Sequence, residues 1–356
     1  MRLFPLVLLA GLLSVPVLAD NNADNNTSSN ASSNASSNAD NNANSRADEV
    51  LLEDDSPLKT TLQQVEVIDP QELPEAVRNL PTLVEKIQVE RAAANSRYVL
   101  LPHRPNYILP LTYQSRPNPR EWERLVNELS NGQAEEPGEF DHVEAMFQIS
   151  IKYLLAEGLV GKHSTLEVGY TNRSFWQAYN SEISRPFRET NHEPELILSW
   201  RPKHIDWLEQ AGLALNHQSN GQTSSLSRSW NRVIFHAASI VGDGIWYLRA
   251  WWRIPEESSA DPFDPSDNDN PDIDDYMGPG ELSYLHVMDQ HNFSVTLRNN
   301  LNFDENRGAL QLEWSFPMTK RLKGYMQYFN GYGESLIDYD RYQERFGIGI
   351  QLSGWL

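Results

Sequence analysis

From Tyr107 onward, hydrophobic residues recur at every second position, in segments about ten residues long divided by polar turns. Side chains alternate between the two faces of a strand, so each such stripe predicts a β-strand with one apolar face. Tyr107, Leu109, Leu111 and Tyr113 form one stripe, and Val143, Ala145, Phe147, Ile149, Ile151 and Tyr153 a second. Opposite the second lie Glu144, Met146, Gln148, Ser150 and Lys152. Leu166, Val168 and Tyr170 alternate with Glu167, Gly169 and Thr171, and Leu196, Leu198 and Trp200 repeat the pattern. Later stripes are Trp246-Leu248-Ala250-Trp252, Phe293-Val295-Leu297, Leu310-Leu312-Trp314-Phe316 and Phe346-Ile348-Ile350-Leu352.

What occupies the alternate face decides the fold class. Glu, Arg, Lys, Gln and Gly recur opposite the aromatic and aliphatic stripes, the mark of an all-β transmembrane antiparallel barrel with an apolar outer band and a polar interior. Beyond the first residues no long uncharged apolar run could span a membrane as a helix. A closed barrel is the one sheet that leaves no backbone edge unsatisfied in lipid. Counting segments gives about twelve strands, and a barrel of that size should be filled by side chains, its inner charges paired.

The stretch from Leu213 to His236 carries candidate chemistry. On one predicted strand Leu213, Leu215, His217 and Ser219 share a face, and on the returning strand Asn231 joins Val233, Phe235 and Ala237. With a turn centred near Ser224, His217 and Asn231 oppose one another at roughly 4.5–5.5 Å between Cβ atoms, with Ser219 one step along. Serine is a weak nucleophile at neutral pH, so an imidazole must take its proton and a third group must hold that imidazole in the right tautomer. A neutral Asn can orient the ring without placing a carboxylate against an apolar surface. On spacing alone, ordinary polar residues beside a loop are the commoner explanation.

A set of words along the chain changes that balance: Tyr-Thr-Asn-Arg-Ser-Phe-Trp-Gln from Tyr170, Arg-Pro-Phe-Arg-Glu-Thr-Asn-His-Glu-Pro from Arg185 and Asn-His-Gln-Ser-Asn-Gly from Asn216. Ser-Arg-Ser-Trp-Asn-Arg from Ser227, Asp-Asn-Pro-Asp-Ile from Asp269 and Gly-Tyr-Gly-Glu-Ser-Leu-Ile-Asp-Tyr from Gly331 follow. In this order the sequence resembles the bacterial outer-membrane phospholipase A family over residues 98–356. The resemblance implies a twelve-stranded barrel that hydrolyses sn-1 and sn-2 acyl esters of phospholipids and lysophospholipids. It implies Ser219 as nucleophile, His217 as general base, Asn231 as orienter and Gly221 as an oxyanion-hole amide. It further implies calcium, held by Ser184, Ser227 and the backbone carbonyl of Gln222, with Asp269 at a calcium position of the monomer. Without it, the serines read as turn caps and Asp269 as the start of an Asn-Pro turn. The family is regulated as a homodimer. Asn172, on the outward face with Val168 and Tyr170, is a candidate for pairing across such an interface, or else sits at headgroup level.

Apolar faces turned to lipid put His217, Ser219 and Asn231 on the outside of the barrel, so membrane phospholipids are the expected substrate. The competing reading is a barrel that conducts solutes or anchors an N-terminal arm, which would need neither the outward His217 and Ser219 nor the oxygen-rich hairpin. Residues 1–19 read as a secretory signal ending Val17-Leu18-Ala19. Residues 20–48, almost all Asn, Ser, Ala and Asp, read as a disordered spacer. Residues 49–98 read as a periplasmic extension with one or two short helices, and 99–356 as the barrel in the Gram-negative outer membrane. The chain has no Cys, hence no disulfide framework, and its net charge of −20 argues against nucleic acid. It ends Gly354-Trp355-Leu356, where such barrels usually end on an aromatic residue.

Overall fold

Backbone amides in hydrocarbon must find partners within the protein, and here every barrel strand has two neighbours. The computed structural model describes residues 73, 75–94, 98–119, 123, 126, 139–183, 185–202, 205, 207–222, 226–257, 268–319 and 322–354. The expected signal peptide and spacer, most of the 49–98 extension, Ser184, Ser224 and the Trp355-Leu356 terminus lie outside those residues. All described residues fall in one unit, Asp55–Leu356. Two helices, α1 (Glu75–Arg78) and α2 (Pro81–Ala94), precede a two-residue strand β1 (Leu101–Pro102).

Twelve strands then follow: β2 (Asn106–Gln114), β3 (Val143–Glu157), β4 (Ser164–Trp176), β5 (Phe187–Trp200), β6 (Gln210–Ser219), β7 (Ser229–Val241), β8 (Gly244–Arg253), β9 (Gly280–Met288), β10 (His291–Asn299), β11 (Gly308–Pro317), β12 (Lys323–Gly331) and β13 (Gln343–Ser353). Each pairs antiparallel with the next, and β13 pairs with β2 to close the barrel of twelve. The turns at one end are short, such as Gly242-Asp243 and Asp289-Gln290, while the other end carries long loops, including the one between β8 and β9 that holds a short helix α3 (Ile273–Met277). In outer-membrane barrels short turns face the periplasm. On that side Glu90 of α2 meets Lys152 at 3.0 Å, and Lys152 meets Glu167 at 3.0 Å. Burial opposes the charge on Glu90, but Lys152 and Lys86 outweigh it and hold its carboxyl below the ordinary value.

One predicted stripe is corrected. Tyr107 and Leu109 point inward and are buried, whereas Leu111 and Tyr113 are exposed on the outside. Register slips between Leu109 and Thr112 against β3, and between Ile108 and Leu111 against β13. Pro110, which has no N–H to give a ladder, sits in this bulge, and the extra residue reverses which parity faces lipid. Gly349 makes room for it: a Cβ there would lie 2.1 Å from the Ile108 carbonyl oxygen.

Charged side chains pair across the lumen but do not fill it: a cavity of about 490 Å³ remains, lined among others by His103, Lys152, Glu195 and Arg249. Arg104 forks onto Glu193 at 2.8 and 2.9 Å and reaches Glu195 at 2.7 Å. Arg249 bridges Glu195 at 3.1 Å and Glu281 at 2.9 Å, and Arg232 reaches Glu193 at 3.1 Å. Toward the long loops, Glu144 lies between Arg188 at 3.0 Å and Arg345 at 2.8 Å, while Arg188 and Arg345 also hold Asp338 at 2.5 Å and Glu334 at 2.7 Å. Asp338 and Glu334 belong to the loop between β12 and β13, which thereby folds into the barrel. An apolar cluster seals the same end: Ile197, Ala214, Trp230, Ile234 and Trp251 from the strands meet Ile273, Met277, Leu336 and Tyr339 from the loops. Among the described residues no helix is long and apolar enough to cross a membrane.

Removing one partner of a buried pair leaves a charge without compensation. Arg188→Ala, which takes one of the two guanidinium partners of Glu144 and the guanidinium bound to Asp338, should cost about 3–5 kcal/mol in unfolding by denaturant in lipid vesicles. Arg307→Ala, which breaks the exposed pair with Glu305 and a guanidinium contact over the Tyr276 ring, should cost only about 1 kcal/mol in the same measurement.

Candidate active site

The register of β6 on β7 brings the candidate residues together. His217 pairs with Asn231, and Ser219 with Ser229. His217, Ser219 and Asn231 are half-buried and lie on the outward face, in line with the exposed Leu213, Leu215 and Phe235. The ladder neighbours Gln218, Trp230 and Arg232 turn into the lumen, where Trp230 Nε1 and an Arg232 guanidinium N–H donate to Gln218 Oε1 at 2.9 and 3.1 Å. The inward residues fix the strands, and the outward ones inherit that rigidity.

His217 Nδ1 lies 2.9 Å from Asn231 Oδ1. The other end of the amide is also committed, since Asn231 Nδ2 donates to Glu256 Oε1 at 2.8 Å. With the amide oxygen facing the ring, Nδ1 must carry the proton and Nε2 the lone pair. Ser219 lies two residues along the same face, and among the described residues no hydrogen bond links its hydroxyl to His217. Such bonds are often formed only once a substrate is in place.

The chain turns immediately after Ser219. Asn220 is buried and braces the turn: its Nδ2 donates to the Leu226 carbonyl at 2.9 Å, and its Oδ1 accepts from the N–H groups of Gln222 at 3.2 Å and Arg228 at 3.0 Å. Gly221 has φ +65, a left-handed conformation that favours glycine. Among the described residues its N–H has no hydrogen-bond partner.

Side-chain oxygen atoms gather on the loop side. Ser227 and Ser229 both donate to Asp269 Oδ2, at 2.7 and 3.3 Å, and Ser229 N–H donates to Asn270 Oδ1 at 3.1 Å. The structure therefore unites Ser227 with Asp269, which is 42 residues distant in sequence, and sets Gln222 on the exposed turn near Gly221. Ser184 lies outside the described residues, between Ile183 and Arg185 at the approach to β5. Among the described residues no group of three or more His, Cys, Asp or Glu side chains is arranged to hold a metal ion by itself. The groups brought together here, the Asp269 carboxylate, the Ser227 and Ser229 hydroxyls and the Asn270 amide oxygen, are all hard oxygen donors, the chemistry that suits calcium.

Asn172 is outward, as expected, but it has partners in its own barrel. Ser174 Oγ donates to its Oδ1 at 3.1 Å, and its Nδ2 lies 3.4 Å from His192 Nδ1, which Tyr170 Oη also meets at 2.7 Å. His192 pairs with Asn172 on one side and with Ser219 on the other. Neither His192 nor Glu256 stood out in the sequence. The signal for His192 was its place in the outward parity of Leu196, Leu198 and Trp200, while Glu256 lies past the end of β8, where alternation has stopped.

A closed antiparallel barrel with a charge-paired lumen, an apolar outer band and a polar cluster on its outer face defines an integral protein of the outer membrane. The model of the phospholipase A1 family matches residues 83–352, and the chain belongs to that family. The match starts earlier than residue 98, so it takes in most of α2. A phospholipase A1 of Proteus vulgaris is 35% identical over 259 residues, 72% of this chain and 82% of the relative. That of Escherichia coli strain K12 is 36% identical over 214 residues, 59% of this chain and 70% of the relative. Among solved structures, the outer membrane phospholipase A of Escherichia coli superposes with a TM-score of 0.63 at 32% identity, covering 73% of this chain and all of that one. A Salmonella typhi outer membrane phospholipase dimer with bound calcium gives a TM-score of 0.63 at 32% identity, covering 74% and 98%.

Proposed function

We propose that the protein is a calcium-dependent phospholipase A that hydrolyses sn-1 and sn-2 acyl esters of phospholipids and lysophospholipids at the outer surface of the barrel. The observation that carries this reading is the 2.9 Å contact between His217 Nδ1 and Asn231 Oδ1 on a face that is otherwise largely apolar, with Leu213, Leu215, Val233 and Phe235. A tautomer-fixed imidazole at the lipid surface has acyl esters of membrane lipids as its nearest substrate, because those bonds lie close to headgroup depth, where strand ends emerge.

In this reading Ser219 Oγ attacks the ester carbonyl carbon and its proton passes to His217 Nε2. Negative charge moves to the carbonyl oxygen, which accepts a hydrogen bond from Gly221 N–H. The tetrahedral species collapses, the carbon–oxygen bond to the glycerol breaks, and the leaving alkoxide takes the proton from His217. A water, deprotonated by the same imidazole, then adds to the acyl carbon; the bond to Ser219 Oγ breaks, Oγ takes the proton back from His217, and the fatty acid leaves. Ser227, Ser184, the Gln222 carbonyl and Asp269 would hold calcium, which when bound supplies positive charge near the developing oxyanion. The calcium-bound dimer of the Salmonella typhi relative supports the cation assignment. Fatty-acid release from phospholipid in mixed micelles tests the reading. Ser219→Ala and His217→Ala should each lose activity by at least about a thousandfold, and a chelator should silence the wild type reversibly. Activity surviving in Ser219→Ala would refute the assigned nucleophile.

We also propose regulation by dimerisation, with the outward Asn172 at the interface. Its hydrogen bonds to Ser174 and His192 preorganise the amide for a second copy rather than leave it to lipid. Crosslinking of the purified protein in detergent should trap a dimer with calcium and less of it without, and Asn172→Leu should reduce the dimer fraction. A strictly monomeric active enzyme would overturn the dimer proposal.

A further inference from the structure

Asn231 is an ambiguous orienting group. The oxygen and nitrogen of its amide are nearly the same size, and a flip would turn Nδ2 toward the ring. His217 Nδ1 would then accept, its proton would move to Nε2, and the imidazole could no longer take a proton from Ser219. Something must hold the amide one way round.

We infer that Glu256 is a positioning residue that locks the Asn231 amide and supplies, one residue removed from the imidazole, the negative charge that an aspartate would bring directly. The inference rests on the Ser219-His217-Asn231 reading above. An ionised carboxylate only accepts, so the 2.8 Å contact of Asn231 Nδ2 with Glu256 Oε1 commits the nitrogen and leaves Oδ1 for His217. Glu256 is itself held. Arg253 donates to its Oε2 at 3.2 Å, and the two side chains are 12% and 9% exposed, enough to exclude free rotation into solvent. Arg253 is anchored in turn by Asn268 Oδ1 at 2.6 Å and the Asn270 carbonyl at 3.1 Å. The backbone closes the arrangement, with Ile254 N–H donating to the Asn231 carbonyl at 2.8 Å.

The result is a line His217–Asn231–Glu256–Arg253 running from the lipid face to the base of the β8–β9 loop. A carboxylate at position 231 would lie on the apolar face, where desolvation is costly. Glu256 is set back beside a guanidinium, and the neutral amide passes its influence to the ring. The same loop carries Asp269, which takes Ser227 and Ser229, so one segment orients both the imidazole and the oxygen cluster.

The test is a charge exchange on the full-length protein in mixed micelles with calcium. Rates and pH profiles are measured for wild type, Glu256→Gln, Glu256→Asp, Asn231→Asp, Asn231→Asp with Glu256→Gln, and Ser219→Ala. Gln is close in shape to Glu, and heat-modified migration reports whether each barrel has folded. Glu256→Gln should lower kcat roughly tenfold or more, as when a partner that orients a histidine is removed, with KM unchanged. Its acid limb should move to lower pH, because loss of the negative charge makes the imidazolium less stable. Asn231→Asp alone sets two carboxylates against each other and should be poorly active. The double variant, in which the introduced glutamine amide donates to the introduced carboxylate, should recover severalfold over it. Glu256→Asp keeps the charge but shortens the reach, and should keep the wild-type acid limb while losing rate. A wild-type kcat and pH profile for Glu256→Gln, or a double variant no better than Asn231→Asp, would overturn the inference. Ser219→Ala that stays active would instead sink the underlying reading, so the two failures are separable.

Discussion

A sheet placed in hydrocarbon has no water to satisfy its edges, and the rest of this structure follows from that constraint. The β13–β2 pairing closes the ring and removes the last open edge. Closure divides the side chains into two populations, a lipid-facing band of aliphatic and aromatic residues and a lumen that must satisfy its own charges. The lumen does so with arginine–glutamate networks in which nearly every guanidinium meets more than one acceptor, as Arg104 does with Glu193 and Glu195. Such networks add little net stability over apolar packing, but each member is costly to remove, and they hold the strands in a single register.

Against an apolar outer band, polar outward residues need a local account. His217, Asn231 and Ser219 find one in the proposed chemistry, and Asn172, Ser174, Tyr170 and His192 in a neighbouring chain of hydrogen bonds. The two groups meet at the β5–β6 seam, where His192 is paired with Ser219. The rigid elements are the strands. Among the loops, the one between β8 and β9 reaches both Asn231, through Glu256, and Ser227, through Asp269. A site assembled this way couples the orientation of the imidazole to the loop that carries the oxygen cluster.

Much of this was legible from local pattern. The alternation, the polar inner face and the opposition of His217 to Asn231 follow from a period of two and a turn that fixes register. Where the pattern broke, sequence failed for a physical reason. The bulge at Pro110 inserts a residue and reverses the parity of Tyr107 and Leu109 relative to Leu111 and Tyr113, so a strict alternation carried across it gives the wrong face. Glu256 was invisible because its role depends on a tertiary contact across 25 residues. The inward-folded loop around Leu336 and Asp338 was equally hidden, since its partners Asn191, Glu189 and Arg188 lie on strand β5. Resemblance named the candidate calcium residues, and folding brought Ser227 and Asp269 into contact.

The most direct measurement of the central claim, an activated serine facing the bilayer, is covalent capture from within the membrane. The protein in lipid vesicles is treated with a long-chain alkylsulfonyl fluoride dissolved in the bilayer, and the modified residue is mapped by mass spectrometry. Ser219 should be the residue labelled, with labelling suppressed in His217→Ala and slow for a short water-soluble reagent. Labelling of a lumen or loop serine instead, or of Ser219 at the same rate with and without His217, would contradict the account.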